Sequence, residues 1–480
     1  MIDQYTTRNR TAPTRPDKRG LGMFGWSVAI MLWVSVGRMA EIAPFLRGLP
    51  LAKVAVGTAF VAHWISRSRG RTVPILGTSF GRTAALLAIL GLVSITFSVW
   101  KSQTMRSIGE CAAVGAEFWL AFIAARRWRD ARNLLGHLAA AGSALAVAAI
   151  VDYSGGRAAV NANYDPNDLA YVLVALLPIC HAAAVTSRGL PRMLWYLLGA
   201  AFVVTVILTG SRGGAIGLAV VIVCLVLDRN ARQSLAPMAR APARAPSAVP
   251  GRSARHGSRS SADRRHGVLR RVFLVLPLLV AIGWISWPHL PSAIREHFAT
   301  FAHLESDYNL QMGHDSRLDI WRRSLSKLLT RPIGFGLGAF EAVDGMTGGE
   351  YRAAHNSEVE IAVDLGFLGL FLYLRMYVLS WRALGTLVRR RADADADGEA
   401  SRRGIYAANL RISLLGNFTA GFFLSQAYSN LIWISFGLIA GIATAANLAT
   451  AARNVPGAGD APAVGGARVA ATESRVEPAG

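Results

Sequence analysis

A chain of 480 residues that is 52% hydrophobic and only 17% charged, with mean hydropathy +0.35, is too apolar for an ordinary soluble domain and points to an all-α polytopic membrane protein. Its formal charge of +22 would suggest nucleic acid in a soluble chain, but no aromatic-rich or recognised binding motif accompanies the basic residues, so that role is set aside. Cys111, Cys180 and Cys224 all fall in apolar stretches, which argues for packing residues rather than a disulfide framework.

A membrane span needs about 20 mainly apolar residues, and about twelve stretches qualify as candidates. They are 22–40, 49–65, 83–100, 107–125, 134–151, 169–185, 193–209, 215–227, 272–287, 359–379, 406–424 and 431–449. The eighth is short, and its true start is expected to draw in Gly210 to Gly214. Basic clusters occur in the N-terminal segment, at 66–71, at 126–132, at 229–271 and at 389–403. The positive-inside rule puts all of them in the cytoplasm, which requires an even number of spans between successive clusters. Twelve spans meet that requirement, with both termini inside. The polar segment 1–21 then reads as a disordered cytoplasmic tail ahead of an uncleaved signal anchor.

Glu110 and Glu117 lie in or at the edge of the fourth span. Ionisable groups there are costly and default to a functional role, but an interhelical hydrogen bond or an interfacial position explains them equally well. Beyond the fifth span, Asp165-Pro166-Asn167-Asp168 supplies a capping acid, a proline at the first helical position and an acid at the third, so it starts the sixth helix. That structural reading is sufficient alone; Asn161, Asn163 and Asn167 are in addition candidates to hydrogen-bond a sugar. The seventh span ends in Thr209-Gly210-Ser211-Arg212-Gly213-Gly214. Glycines that free the backbone, a new helix N-terminus and a permanent guanidinium form an anion site suited to phosphate, with Ser211, Arg212 and Gly213 as its contacts. It lacks the lysine and spacing of a nucleotide P-loop, and a tight turn whose arginine reaches lipid headgroups is the competing reading.

Segment 229–271 holds eleven arginines and one acid, Asp263. It cannot bury a core and reads as a disordered cytoplasmic linker. The ninth span, 272–288, leads to 289–356, the one long polar segment between apolar spans that is not strongly basic. It reads as a partly helical external loop. Ser316 with Asp319 fits a capping box, and Leu318, Ile320, Trp321, Leu325, Leu328 and Leu329 suggest an apolar face on a helix that stops before Pro332. Arg317 in the first turn is unfavourable to the helix dipole, which calls for an anion; Asp315 or Asp319 would serve as well as a ligand. Gly334, Gly336 and Gly338 follow a helix rather than a strand, so a flexible or tightly turned segment is a better reading than dinucleotide binding.

His355 and Asn356 stand ahead of Ser357-Glu358-Val359-Glu360, a second apparent capping box opening the tenth span. Proximity to the helix N-terminus favours the neutral imidazole, the form able to accept a proton; a bystander histidine is the alternative. Glu360 and Asp364, one turn apart, are expected to face a cavity or a partner such as Arg375 or Arg411. Asp393, Asp395 and Asp397 imitate a calcium loop and the Asp-x-Asp of soluble glycosyltransferases, but Gly404 stands where the bidentate glutamate is needed. A solvated linker fits better, and no metal site is assigned. The spans 357–449 close the bundle, with 450–480 a disordered cytoplasmic tail.

In order along the chain, NANYDPNDLAYVLVALLP, TGSRGG, SRLDIWRRSL with RPIGFGLGAF, and AHNSEVEIAVDLGFLGLFLYL resemble the O-antigen ligase and polysaccharide polymerase superfamily of bacterial inner-membrane glycosyltransferases. The likeness covers roughly residues 161–379. It implies a GT-C-like fold of spans 22–228, 272–288 and 357–449 with a periplasmic catalytic loop. It also implies transfer of a glycan from undecaprenyl diphosphate to an acceptor hydroxyl on glycan, lipid A–core or protein, for surface polysaccharide such as O-antigen, capsule or exopolysaccharide. No metal, cofactor or nucleotide sugar is implied. Arg212 and Arg317 would hold the diphosphate as leaving group and His355 would act as general base, giving inversion. Asn161, Asn163, Asn167, Ser211, Gly213 and Asn356 would contact substrate. Membrane lipids and other polysaccharide assembly proteins complete the expected partners. The basic insert 229–271 departs from the family pattern. A function of another class, a polysaccharide transporter or lipid flippase, predicts inverted-repeat symmetry that the sequence does not display and leaves the external loop without a task.

Overall fold

The computed structural model describes residues 21–66, 74–161, 164–227, 283–299, 316–392 and 398–453. Its elements are α1 (Met23–Ser35), α2 (Met39–Ile42), α3 (Leu51–Ser66), α4 (Ser79–Phe97), α5 (Lys101–Ala124), α6 (Trp128–Val151), α7 (Pro166–Thr186), α8 (Leu190–Leu208), α9 (Arg212–Leu227), α10 (Ser292–Ala299), α11 (Arg317–Thr330), α12 (Phe340–Met346), α13 (Ser357–Ala392), α14 (Gly398–Gly421) and α15 (Asn430–Arg453). Among the described residues there is no strand. Seven helices, α4 to α8, α13 and α15, are long and apolar enough to cross a membrane, and α1, α3 and α9 are shorter apolar helices. Helices stand at every expected span except 272–287, most of which lies outside the described residues. The basic linker, the Asp393–Asp397 stretch and nearly all of the two tails also fall outside them.

Helix α7 is the centre of the bundle, packed by α14, α8, α9 and α6. It starts as its sequence dictates: Pro166 opens it and the Asn167 N–H donates to Asp165 Oδ1 at 2.6 Å. Side chains inside the bundle pair with one another, since lipid offers no alternative partner. Asn417 Nδ2 donates to Tyr171 Oη at 2.9 Å, and Tyr377 Oη donates to Asn417 Oδ1 at 2.9 Å. Glu117 takes the interhelical option, accepting from Ser35 Oγ at 2.5 Å, whereas Glu110 is an exposed partner of Arg106 at 3.3 Å. Helix α15 lies close on α5 because Gly437 and Gly441 carry no side chain; a Cβ at either would sit 2.4 Å from a carbonyl oxygen of Phe118 or Phe122. The three cysteines form no disulfide.

Helix α13 is broken at Gly366 (φ 70°, ψ −172°). The break turns the Val363 and Asp364 carbonyls away from the helix, where they accept the N–H groups of Phe335 and Gly336, both at 2.9 Å. Phe367 N–H in turn donates to Pro332 O at 3.0 Å. Segment 332–338 is thus stitched into α13, and irregular backbone is satisfied by protein rather than left open to lipid. Gly334, Gly336 and Gly338 make this possible with φ of 88°, 114° and 73°, so the segment is tightly turned rather than flexible. Asp364 has a different task from the one the sequence suggested: its Oδ2 accepts Gly338 N–H at 2.8 Å and Tyr428 Oη–H at 3.0 Å. The two suggested partners are engaged elsewhere, Arg375 with Thr83 at 3.0 Å and Arg411 over the Trp381 ring at 3.7 Å.

A Cβ at Gly366 would lie 2.2 Å from Pro332 O and would force a left-handed φ on a side-chain-bearing residue. Gly366→Ala is therefore expected to cost at least about 1–3 kcal/mol, read as a fall in the thermal unfolding midpoint of the detergent-solubilised chain. Gly57→Ala, in α3 with nothing within 4 Å of the added Cβ, should leave that midpoint unchanged or slightly raised.

Candidate active site

Three chain segments meet at one end of the bundle. After α8, Gly210 (φ 60°) turns the chain, and Ser211 caps α9 by accepting Gly214 N–H at 3.1 Å. Arg212 is the first residue of α9. The following glycines mainly allow packing: a Cβ on Gly213 would sit 2.7 Å from Phe423 Cβ, and one on Gly214 2.5 Å from Ala170 Cβ. They seat the α9 N-terminus against α7 and the turn that follows α14.

The second segment is α11. Ser316 Oγ accepts Asp319 N–H at 3.2 Å, the first half of the expected capping box, and its hydroxyl donates to the Asp319 carboxylate. Arg317 follows in the first turn. The buried stripe is narrower than the sequence suggested: Ile320, Ser324 and Leu328 are buried, one every fourth residue, while Leu318, Leu325 and Leu329 face outward. The expected face merged two sides of the helix. Arg323 Nη2 donates to the buried Asp344 carboxylate at 2.9 Å, and Asp344 also accepts Arg352 N–H at 3.1 Å. Trp321 Nε1–H donates to Ala354 O at 2.7 Å. These bonds tie α11 to the strand of chain that delivers His355.

His355 itself has φ 46°, uncommon for a residue with a side chain, and its N–H donates to Ser425 Oγ at 3.0 Å. The expected cap at Ser357 is corrected: Asn356 caps α13, its Oδ1 accepting Val359 N–H at 2.8 Å. Ser357 Oγ instead reaches the carbonyls of Gly421 and Leu424 at 2.9 and 2.8 Å and accepts Gln426 N–H at 2.9 Å. With its hydroxyl occupied in holding the 421–426 turn, Ser357 cannot cap, and asparagine is an equally good cap.

Arg212, Arg317 and His355 line a single cavity of about 250 Å³, together with Asn167, Ser211 and Gly213. Two of the sequence candidates do not, and a third lies outside the described residues. Asn161 donates to Glu41, at 2.8 Å to Oε2 and 3.2 Å to the carbonyl; Asn356 is buried as a cap; and Asn163 lies outside the described residues. The cavity adds Phe423, Leu424 and a third cation that sequence reasoning missed, Arg157. Its Nε donates to Thr209 O at 2.7 Å and its Nη2 to Asn167 Oδ1 at 2.9 Å. Burial pulls the Arg157 pKa below the usual guanidinium range, Asp165 opposes this, and the charge of Arg212 adds to it. Arg157 and Arg212, two guanidinium groups lining the same cavity, form an electrostatic site for an anion.

Burial also lowers the pKa of His355 below the usual 6.5, with the charges of Arg317 and Arg352 acting in the same direction and Asp165 against them. The imidazole is therefore neutral at pH 7. Among the described residues no group of three or more His, Cys, Asp or Glu is placed to hold a metal ion. The cavity thus pairs concentrated permanent positive charge with one neutral base.

Residues 197–374 match a family model described as O-antigen ligase, while no curated protein matches the chain. The matched stretch runs from within α8 to within α13 and contains Arg212, Arg317 and His355. The resemblance carried by the motifs therefore stands: the chain has the apolar helices of a multi-pass membrane protein, and its residues 197–374 match the O-antigen ligase family.

Proposed function

We propose that this protein transfers a glycan from undecaprenyl diphosphate to an acceptor hydroxyl, with the reaction in the cavity that Arg157, Arg212, Arg317 and His355 line. The observation that carries the reading is that cavity: cations from three separate parts of the chain beside one neutral imidazole. His355 takes the proton from the acceptor hydroxyl as its oxygen attacks the anomeric carbon. The bond from that carbon to the diphosphate oxygen breaks on the opposite face, inverting the configuration. The electron pair leaves with the carrier diphosphate, whose charge the guanidinium groups hold, a task that a metal ion performs elsewhere.

Sidedness follows from charge. Helix α7 starts at the cavity and, at 21 residues, is about 31 Å long, close to the roughly 30 Å of a hydrocarbon core. The arginines of 126–132 lie toward its other end, which under the positive-inside rule supports a cavity facing the periplasm. The reaction serves surface polysaccharide assembly in the inner membrane, as ligase or as polymerase.

The test is the purified full chain with carrier-linked glycan and acceptor. Transfer with inversion, undiminished by EDTA, is the expected result. Retained configuration, or a requirement for added divalent metal, would overturn the mechanism. A strain lacking the protein separates the two family roles: single-repeat products mark a polymerase, and long chains stranded on the carrier lipid mark a ligase.

A further inference from the structure

At the end of the bundle opposite the cavity, a recess of about 500 Å³ lies between α1, the first turns of α6, the end of α7, the start of α8 and α14. We propose that this recess binds the headgroup of an anionic phospholipid. One wall is polar: Arg132 and Asn133 from α6 face Thr186 and Ser187 at the end of α7. These provide a permanent cation and several hydrogen-bond donors within one opening. The remaining walls are mainly aromatic and apolar, lined by Trp26, Trp195 and Tyr406, with His137 of α6 among them. Trp26 is 51% exposed and opens the recess to the outer surface of the bundle. A phosphate on a glycerol ester has this division, an anionic head above an apolar body, and indole and phenol rings settle at that level of a bilayer.

The charge around the recess points the same way. Arg126, Arg127 and Arg129 precede Arg132 in the turn that opens α6. Arg403 of α14 lies over the Trp128 ring at 5.6 Å, and Arg126 over Phe122 at 5.9 Å. Trp128 in turn lies edge-on to Tyr406 of the recess at 5.5 Å, which sets Arg403 behind that wall with its charge in place. The acids nearby, Asp130 and Glu399, are fewer than the arginines. A zwitterionic headgroup would bring its own ammonium against this rim, so the recess selects net negative lipid. The depth fits as well, since the length of α7 separates the recess from the cavity by about one hydrocarbon thickness.

The experiment uses the purified full chain in detergent, with retained lipid counted by native mass spectrometry after incubation with phosphatidylglycerol, cardiolipin or phosphatidylcholine. The wild-type chain should retain the two anionic lipids over phosphatidylcholine. Arg132→Gln should weaken that retention about fivefold, the factor corresponding to roughly 1 kcal/mol for one basic residue at an anionic surface. Asn133→Asp, which puts a negative charge on the same wall, should weaken it at least as much and covers the case in which Arg132→Gln fails to fold. Arg106→Gln, an exposed residue of α5 that lines neither the cavity nor the recess, should leave it unchanged. Equal retention of phosphatidylcholine, or wild-type retention in folded Arg132→Gln or Asn133→Asp, overturns the proposal. Displacement of the lipid by inorganic phosphate alone would show a free-phosphate site and overturn it too.

Discussion

His355→Ala is expected to slow glycan transfer by about 10²–10⁴-fold, the usual contribution of a positioned general base, with the amount of protein in the membrane unchanged. His355 lies in the cavity with its backbone anchored to Ser425, so removing the imidazole takes away the proton acceptor without touching the anchor. Single-turnover transfer by the purified variant is the measurement, and a near-wild-type rate would remove the histidine from the mechanism. The pH profile tests the same assignment. Only the neutral ring accepts a proton, and its pKa lies below 6.5 through burial and the charge of Arg317. Activity should therefore persist as pH falls to 6.5 and decline only below it. Residual activity of Arg317→Gln should show that acid limb displaced upward, because one of the depressing charges is gone.

Arg212→Ala and Arg317→Ala are each expected to lower kcat/KM by about 10²–10³-fold, the scale of losing one donor that stabilises developing negative charge. The two groups reach the cavity from α9 and α11 and meet there with Arg157, so each removes a separate contact with the departing diphosphate. Lysine should restore little at either position, because a point charge does not reproduce the planar fork that pairs with phosphate oxygens. Steady-state kinetics with carrier-linked glycan, on variants whose elution from size exclusion matches wild type, give the comparison. A full-strength Arg212→Ala would sink the leaving-group role of the α9 N-terminus.

Much of this site is written in local signals. Arg212 and Arg317 sit one residue past helix caps, of which the sequence marks Ser316 by its capping box and places Ser211 only within a glycine-rich helix start, and the start of α7 is fixed by Asp165 and Pro166. Local signals end where partners come from afar. Arg157 stands among glycines and alanines with no motif around it, and its place depends on the carbonyl of Thr209, 52 residues later. Asn161 and Asn167 look alike in one short motif, yet Asn167 falls in the first helical turn beside Arg157 while Asn161 falls outside it and meets Glu41. The break at Gly366 is equally hidden. A glycine within an apolar helical pattern reads as a modest propensity cost, and only the docking of 332–338 reveals why the helix must open there.

The docking of 332–338 into α13 has a consequence for how this protein can diverge. Arg317 and His355 hang from one clasp, because the chain that leaves α11 is fastened to the helix that His355 introduces. The intervening stretch is pinned again at Asp344, and beyond that pin Met346, Gly348 and Glu350 are exposed. Insertions at 346–350 can therefore vary the exposed turn after α12 while the spacing of Arg317 and His355 stays the same.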